Sequence, residues 1–290
     1  MEKPETGRRF DPFRKLDEVE RREHLDQYKK FLQELDGDVD VVARTLSRRE
    51  LRFEEFGRKR PESRGDCDLE IVREQLGAGS RKAVDRKTAW LSVAAKANTG
   101  ESYGVEEELR WIFESGAIPT ADELYLRMLM QEGYHTRSLV ECCRTAGLED
   151  FALPLPAWNQ RVLIHVIMRL PERVRWSLVI CAEIVGCVVF QTLLDNCDVF
   201  SDEPEVEARL RTLIAEIIRD EALHVAYLRA RLGPRALSLA RRLATSIARG
   251  AMLDLPQLEA LGTKRDAVLA GMHAGVEIPP EANWMVPDSR

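Results

Sequence analysis

Between Ser177 and Leu194 the chain reads SLVICAEIVGCVVFQTLL, apolar on nearly every side and interrupted by one charge, Glu183. A stretch of this length and character is either the central helix of a helical domain or a membrane span. A lone carboxylate at mid-span is expensive, and no second comparable stretch accompanies it. A buried central helix is the better reading, with no membrane contact.

The rest of the chain supports an all-α fold, because Pro and Gly punctuate long segments of 3.6-residue periodicity and no alternating β-branched run appears. With 290 residues, 44% hydrophobic and 32% charged, it can bury a substantial core in one large domain or two small ones. Disorder, collagen and a small disulfide scaffold are excluded. A net charge of −6 gives no overall attraction to nucleic acid. The N-terminal MEKPETGRRFDPFRK lacks an apolar stretch and is too acidic for a transit peptide, so a cytoplasmic protein is expected. Six cysteines without a CxxC pair fit buried thiols in a reduced compartment.

Three regions follow from the punctuation: a charged N-terminal helical extension over 1–84, a four-helix bundle over 85–232, and C-terminal helices with a tail over 233–290. In the extension, a helix over 12–36 opened by Asp11-Pro12 is charged enough to read as a solvated face. The bundle helices are expected at about 85–115, from a cap near Thr120 to Gly147, from Pro171, and over Pro204–Leu232. The stretch 147–170 supplies a crossover. Further helices are expected at 234–252 and 256–272.

Two histidines stand three residues after a glutamate, as Glu132-Gly-Tyr-His135 and Glu221-Ala-Leu-His224, which puts each pair on one helix face. Around Glu221 that face carries Leu210, Leu213, Ile214, Ile217, Val225 and Leu228, a core stripe. Burying several unpartnered carboxylates would offset most of a domain's ~5–15 kcal/mol of stability. A cation must therefore sit among them, and the core faces of these helices are not expected to offer an arginine or lysine. Metal ions remain. Carboxylate and imidazole without sulfur suit iron, with manganese as the other choice, better than a closed zinc site.

A first-helix carboxylate must come from Glu101, Glu106, Glu107 or Glu108. With the turn near Ala117, Glu101 and Glu132 stand at nearly equal depth, whereas Glu108 would be about 9 Å out of register. Glu101 also shares a stripe with Trp90, Ala94 and Ala97. Glu108 stays the alternative.

The segments EGYHTRS (Glu132 to Ser138) and RDEALH (Arg219 to His224) resemble those of ribonucleotide reductase small subunits. Over about 85–232 the chain is similar to the ferritin-like di-iron carboxylate proteins, a superfamily that also includes bacterial multicomponent monooxygenases and aminobenzoate-type N-oxygenases. The resemblance implies a ferritin-like four-helix bundle holding two iron ions through Glu101, Glu132, His135, Glu183, Glu221 and His224. It also implies Asp220 as the acceptor that holds a ligand imidazole in its metal-binding tautomer.

Two positions depart from the relatives. The radical tyrosine of reductase subunits would stand at Leu139, so a stored tyrosyl radical is not expected there, and the extra histidine ligand of the N-oxygenases would stand at Ile217. The resemblance thus implies an O2-dependent di-iron oxygenase acting on a small organic substrate by C–H hydroxylation, desaturation or amine N-oxygenation. Its alternatives are a reductase-like oxidase without the radical tyrosine and ferritin-type iron oxidation. A metal-free helical interaction protein would leave Glu183 and both Glu-x-x-His pairs unexplained. No GxGxxG, P-loop or flavin motif is present, so electrons must come from an external reductase or ferredoxin-like protein, for which Arg235, Arg241, Arg242 and Arg249 offer a docking face; a homodimer is also entertained. Gly186 and Cys187 would border a substrate cavity, Tyr134 and Tyr227 read as core filling, and His165 as a core or crossover histidine.

Overall fold

The computed structural model describes residues 8–58, 60–61, 63–64, 69–76, 83–115, 122–148 and 155–285. Cys67, the Gly77–Ser80 segment, the turn near Ala117 and the Thr120 cap lie outside them.

The described chain is all-α. Four long helices dominate: α4 (Arg86–Ser115), α5 (Glu123–Thr145), α7 (Glu172–Asp195) and α8 (Pro204–Arg231). α4 packs on α5, α5 on α8, α8 on α7 and α7 back on α4, so the four close a ring of neighbours. Trp90 ties the α4–α7 side, its indole N–H donating to the Leu193 carbonyl at 2.8 Å in the core. α5 is capped two residues beyond the expected position, by Asp122, whose carboxylate accepts from the Leu124 N–H at 3.0 Å and satisfies a free first-turn donor. α6 (Trp158–Met168) is the crossover. α7 is long and apolar enough to span a membrane, yet it packs between α8 and α9 (Pro234–Asp254). Buried thiols fit the same close packing: Cys142, Cys143, Cys181 and Cys197 are free and inside.

The N-terminal segment corrects two expectations. α1 runs over Glu18–Asp36, not from 12, because Asp17 and Glu20 form a reciprocal capping box at its start. Upstream, Phe10 belongs to a two-residue strand β1 (Arg9–Phe10), and Asp11 closes a turn onto the Phe13 N–H at 2.8 Å. Nor is α1 a solvated face. His24, Tyr28, Leu32 and Asp36, spaced by four, are buried where the helix packs along α8. A hairpin of β2 (Val39–Asp40) and β3 (Thr45–Leu46) then leads to α2 (Ser47–Arg58), and α3 (Leu69–Leu76) lies on α4.

At the C-terminus, α9 is followed by a 3-10 turn at Pro256–Glu259 and α10 (Arg265–Gly271) rather than one helix over 256–272. Gly262, at φ +85, sits in the left-handed region that ends the first piece. Strand β4 (Val276–Glu277) pairs antiparallel with β1, joining the two ends of the described chain.

Candidate metal centre

Each long helix delivers its carboxylate to the middle of the ring. Glu132 and His135 come from α5, Glu221 and His224 from α8, Glu183 from α7 and Glu101 from α4. They form two groups whose donor atoms lie within 4.8 Å of one another: Glu132, Glu183, Glu221 and His224 in one, Glu101, Glu132 and His135 in the other. Glu132 belongs to both. His224 Nδ1 is 2.8 Å from Glu132 Oε1 and 3.3 Å from Glu183 Oε2. His135 Nδ1 is 3.2 Å from Glu132 Oε2 and 3.3 Å from Glu221 Oε1. The two imidazoles face each other at 5.5 Å between ring centres.

The remaining candidates lie elsewhere. Glu108 accepts from the Tyr125 hydroxyl and sits 3.5 Å from Arg175. Burial, opposed by Arg175, pushes its carboxyl up to about 7. Glu107 pairs with Arg110 at 2.6 Å and with His165 at 3.3 Å, and Glu106 with Arg44 at 3.6 Å. His165 is half-exposed on α6 rather than in the core. Tyr134 and Tyr227 are buried core rings whose hydroxyls are taken, Tyr134 donating to Glu50 at 2.5 Å and Tyr227 lying 2.7 Å from Arg231. At Gly186 a Cβ would meet Glu221 Oε2 at 2.8 Å, so its missing side chain makes room for a carboxylate.

Burial and mutual repulsion govern the protons of the cluster. Burial, with the Glu132 and Glu183 charges, pushes Glu101 up to about 8 against the pull of His135. Burial followed by Glu183, Glu132 and Glu101 holds Glu221 well above the usual carboxylate range. Burial resists charging the histidines, but the Glu132 and Asp220 carboxylates outweigh it at His135, raising it to about 9. Glu132 and Glu183 do the same for His224, to about 10. Burial acts on Glu132 too, and the two imidazoles override it to keep that carboxylate ionised.

The four clustered carboxylates thus draw positive charge toward them, which a proton or a cation can supply. Buried Glu101 Oε2, Glu132 Oε1 and His135 Nδ1 have no well-aligned hydrogen-bond partner, and the donors are oxygen and imidazole nitrogen without thiolate. Such a set fits divalent metal ions.

The outer nitrogens of both imidazoles are also held. His135 Nε2 meets Asp220 Oδ2 at 3.2 Å, the contact expected from the sequence. His224 Nε2 meets Gln131 Oε1 at 2.9 Å, and the Gln131 amide donates to Asp36 Oδ2 at 2.8 Å. Arg49 joins the two branches: it pairs with Asp220 and lies 3.8 Å from Asp36 Oδ1. Burial resists ionising Asp220, but Arg49, Arg219 and His135 hold its carboxyl well below the usual range. The expectation that the long helices offer no buried arginine is corrected by Arg127 on α5, Arg175 on α7 and Arg209 and Arg229 on α8, all buried, and the arginine that reaches this network, Arg49, is 2% exposed and comes from α2. Arg49 and Asp36 were missed because segments dense in charge read as solvated, although the four-residue spacing of the buried stripe of α1 ends at Asp36; Gln131, on α5 beside Glu132, carries no charge to mark it.

No protein-family model matches the chain, and neither a curated protein nor a solved structure does.

Proposed function

We propose that the chain is a ferritin-like di-iron protein that uses O2 to oxidise a small organic substrate. The observation that carries this is the convergence of Glu101, Glu132, His135, Glu183, Glu221 and His224 from four helices, with Glu132 common to both groups. Glu101, Glu132 and His135 would hold one ion, and Glu132, Glu183, Glu221 and His224 the other. Two bound iron(II) ions would supply the electrons and open coordination positions that O2 chemistry needs. Manganese uses the same donor types.

The chain's own part is positional and electrostatic. Its carboxylates offset the ionic charge in a core where an unbalanced charge would be costly. Asp220 and Gln131 fix the outer ring nitrogens, so that Nδ1 of each imidazole faces the carboxylates. Leu139, fully buried where a reductase-like radical tyrosine would stand, favours oxidation of an added molecule over radical storage. Beside Glu101 in sequence, Thr99 and Gly100 line a cleft of about 230 Å³ together with Lys96, Leu163 and Ile164, a place for a small substrate to approach.

Electrons would be supplied by a separate reductase or ferredoxin-like protein. Arg235, Arg241, Arg242 and Arg249 are exposed along α9, which packs against α7, the helix that carries Glu183.

The test is anaerobic loading with iron(II) followed by O2. About two irons per chain and O2 consumption are expected. Glu183→Ala and His224→Ala should lose both, whereas Glu107→Ala and His165→Ala should keep the parental metal content. Trace metal after loading would overturn the proposal, and a persistent tyrosyl radical signal would redirect it toward a reductase-like oxidase. Oxygen-18 in an organic product would support an oxygenase.

A further inference from the structure

The Gln131 side chain is read from two directions at once. Its Nε2 donates to Asp36 Oδ2 at 2.8 Å, and its Oε1 lies 2.9 Å from His224 Nε2. An ionised carboxylate only accepts hydrogen bonds, so Asp36 takes the amide N–H and leaves the amide oxygen, which also only accepts, for the imidazole. The ring nitrogen facing that oxygen must carry a hydrogen. In the neutral ring the lone pair then falls on Nδ1, the atom that faces Glu132 and Glu183.

Asp36 is itself fixed. It is 1% exposed, with Arg52 at 3.2 Å and Arg49 at 3.8 Å from its Oδ1, which leaves Oδ2 for Gln131. His135 needs no such relay, because Asp220 accepts from its Nε2 directly at 3.2 Å. The two imidazoles are thus set by different means, one by a carboxylate in contact and one by a carboxylate acting through an amide.

We propose that Asp36, on the N-terminal helix α1, is a positioning residue of the metal centre: by fixing the orientation of the Gln131 amide, it selects the His224 tautomer that presents Nδ1 to a metal ion. This rests on the metal-centre reading. The sharpest perturbation is Asp36→Asn. An asparagine turns its own N–H toward Gln131, the Gln131 amide reverses, and its N–H then faces His224 Nε2. That nitrogen must now accept, the hydrogen moves to Nδ1, and the ligating lone pair is lost from the side of the carboxylates. Asp36→Leu removes the charge without offering a donor, so it leaves the amide free rather than reversed.

The experiment uses full-length protein with nitrogen-15-labelled histidine, titrated with zinc(II) as a diamagnetic probe. The parent is expected to bind about two zinc ions with a hydrogen on Nε2 of both His135 and His224. With zinc added, Asp36→Asn should deplete the His224 state that carries a hydrogen on Nε2 alone, leave the His135 signals in place, and weaken uptake of one zinc on the order of 10–100-fold. Asp36→Leu should fall between Asp36→Asn and the parent. The proposal is overturned if Asp36→Asn keeps the Nε2 hydrogen on His224 with parental affinity. It is also overturned if Asn and Leu lose affinity equally, since that would mark a structural role through Arg49 and Arg52. A parent that takes up no zinc would overturn the metal-centre reading and this inference with it.

Discussion

Gly186 has little slack at the centre. A methyl group there would stand 2.8 Å from Glu221 Oε2, closer than Cβ atoms approach, and a tight 3.1 Å from its carboxyl carbon. Substituting alanine raises intrinsic helix propensity by up to about 1 kcal/mol, so Gly186→Ala should leave the metal-free protein as stable as the parent or slightly more so. Metal uptake should fall, because Glu221 must turn away from the group it shares with Glu183 and His224. Thermal melts beside elemental analysis would separate the two effects; parental metal content would mean that Glu221 has room elsewhere. Glu101→Ala against Glu108→Ala tests the α4 carboxylate in the same way. Loss of metal is expected only for Glu101, since Glu108 is occupied by Tyr125 and Arg175. Here the sequence was informative: equal depth on either side of one turn picks Glu101 because a helix rises uniformly. It could not reveal what Gly186 is for, since a small residue on an apolar helix serves a cavity and a close contact equally well.

Among the elements, α1 shows how a strongly charged segment can still be structural. Its polar residues cover three sides, and the fourth places His24, Tyr28, Leu32 and Asp36 against the long helices, with Tyr28 stacked on Tyr227 at 5.5 Å. Periodicity found the long helices because broad apolar stripes dominate them. It missed α1's role because two of the four buried positions, His24 and Asp36, are polar and their burial depends on distant partners, Gln131, 95 residues on, for Asp36 and the Trp284 ring for His24. Leu32, fully buried, gives the clean test. Leu32→Ala should destabilise the protein by about 2–5 kcal/mol in urea unfolding, as for other buried leucines. Val19→Ala, on the exposed side of the same helix, should change it by less than about 0.5 kcal/mol. Equal small effects would mean that α1 detaches without consequence for the core.

For the whole molecule, the protons in the cluster tie metal content, stability and pH together. In the metal-free protein Glu101, His135 and His224 are raised to about 8, 9 and 10. A group whose folded-state value is raised contributes stability that is full below its unfolded value and is lost as pH climbs through the folded one. Glu101 therefore begins to withdraw its contribution above its ordinary 4.5, and the histidines above 6.5, the losses being complete only above about pH 10. Glu132 and Asp220 are lowered and act oppositely, contributing above the usual carboxylate range and failing only in acid. Metal ions must displace the protons to bind, so apparent affinity should rise with pH over the range in which metal-free stability falls. The gap in melting temperature between metal-loaded and metal-free protein should consequently widen from pH 6 to pH 9, since binding at 100 times Kd adds about 2.7 kcal/mol per site. Paired thermal melts with and without excess zinc(II) across that range would read it directly. A gap that stays constant or narrows would mean that the carboxylates and imidazoles do not exchange their protons for metal, and the cluster would then be a buried proton-sharing network rather than a metal centre.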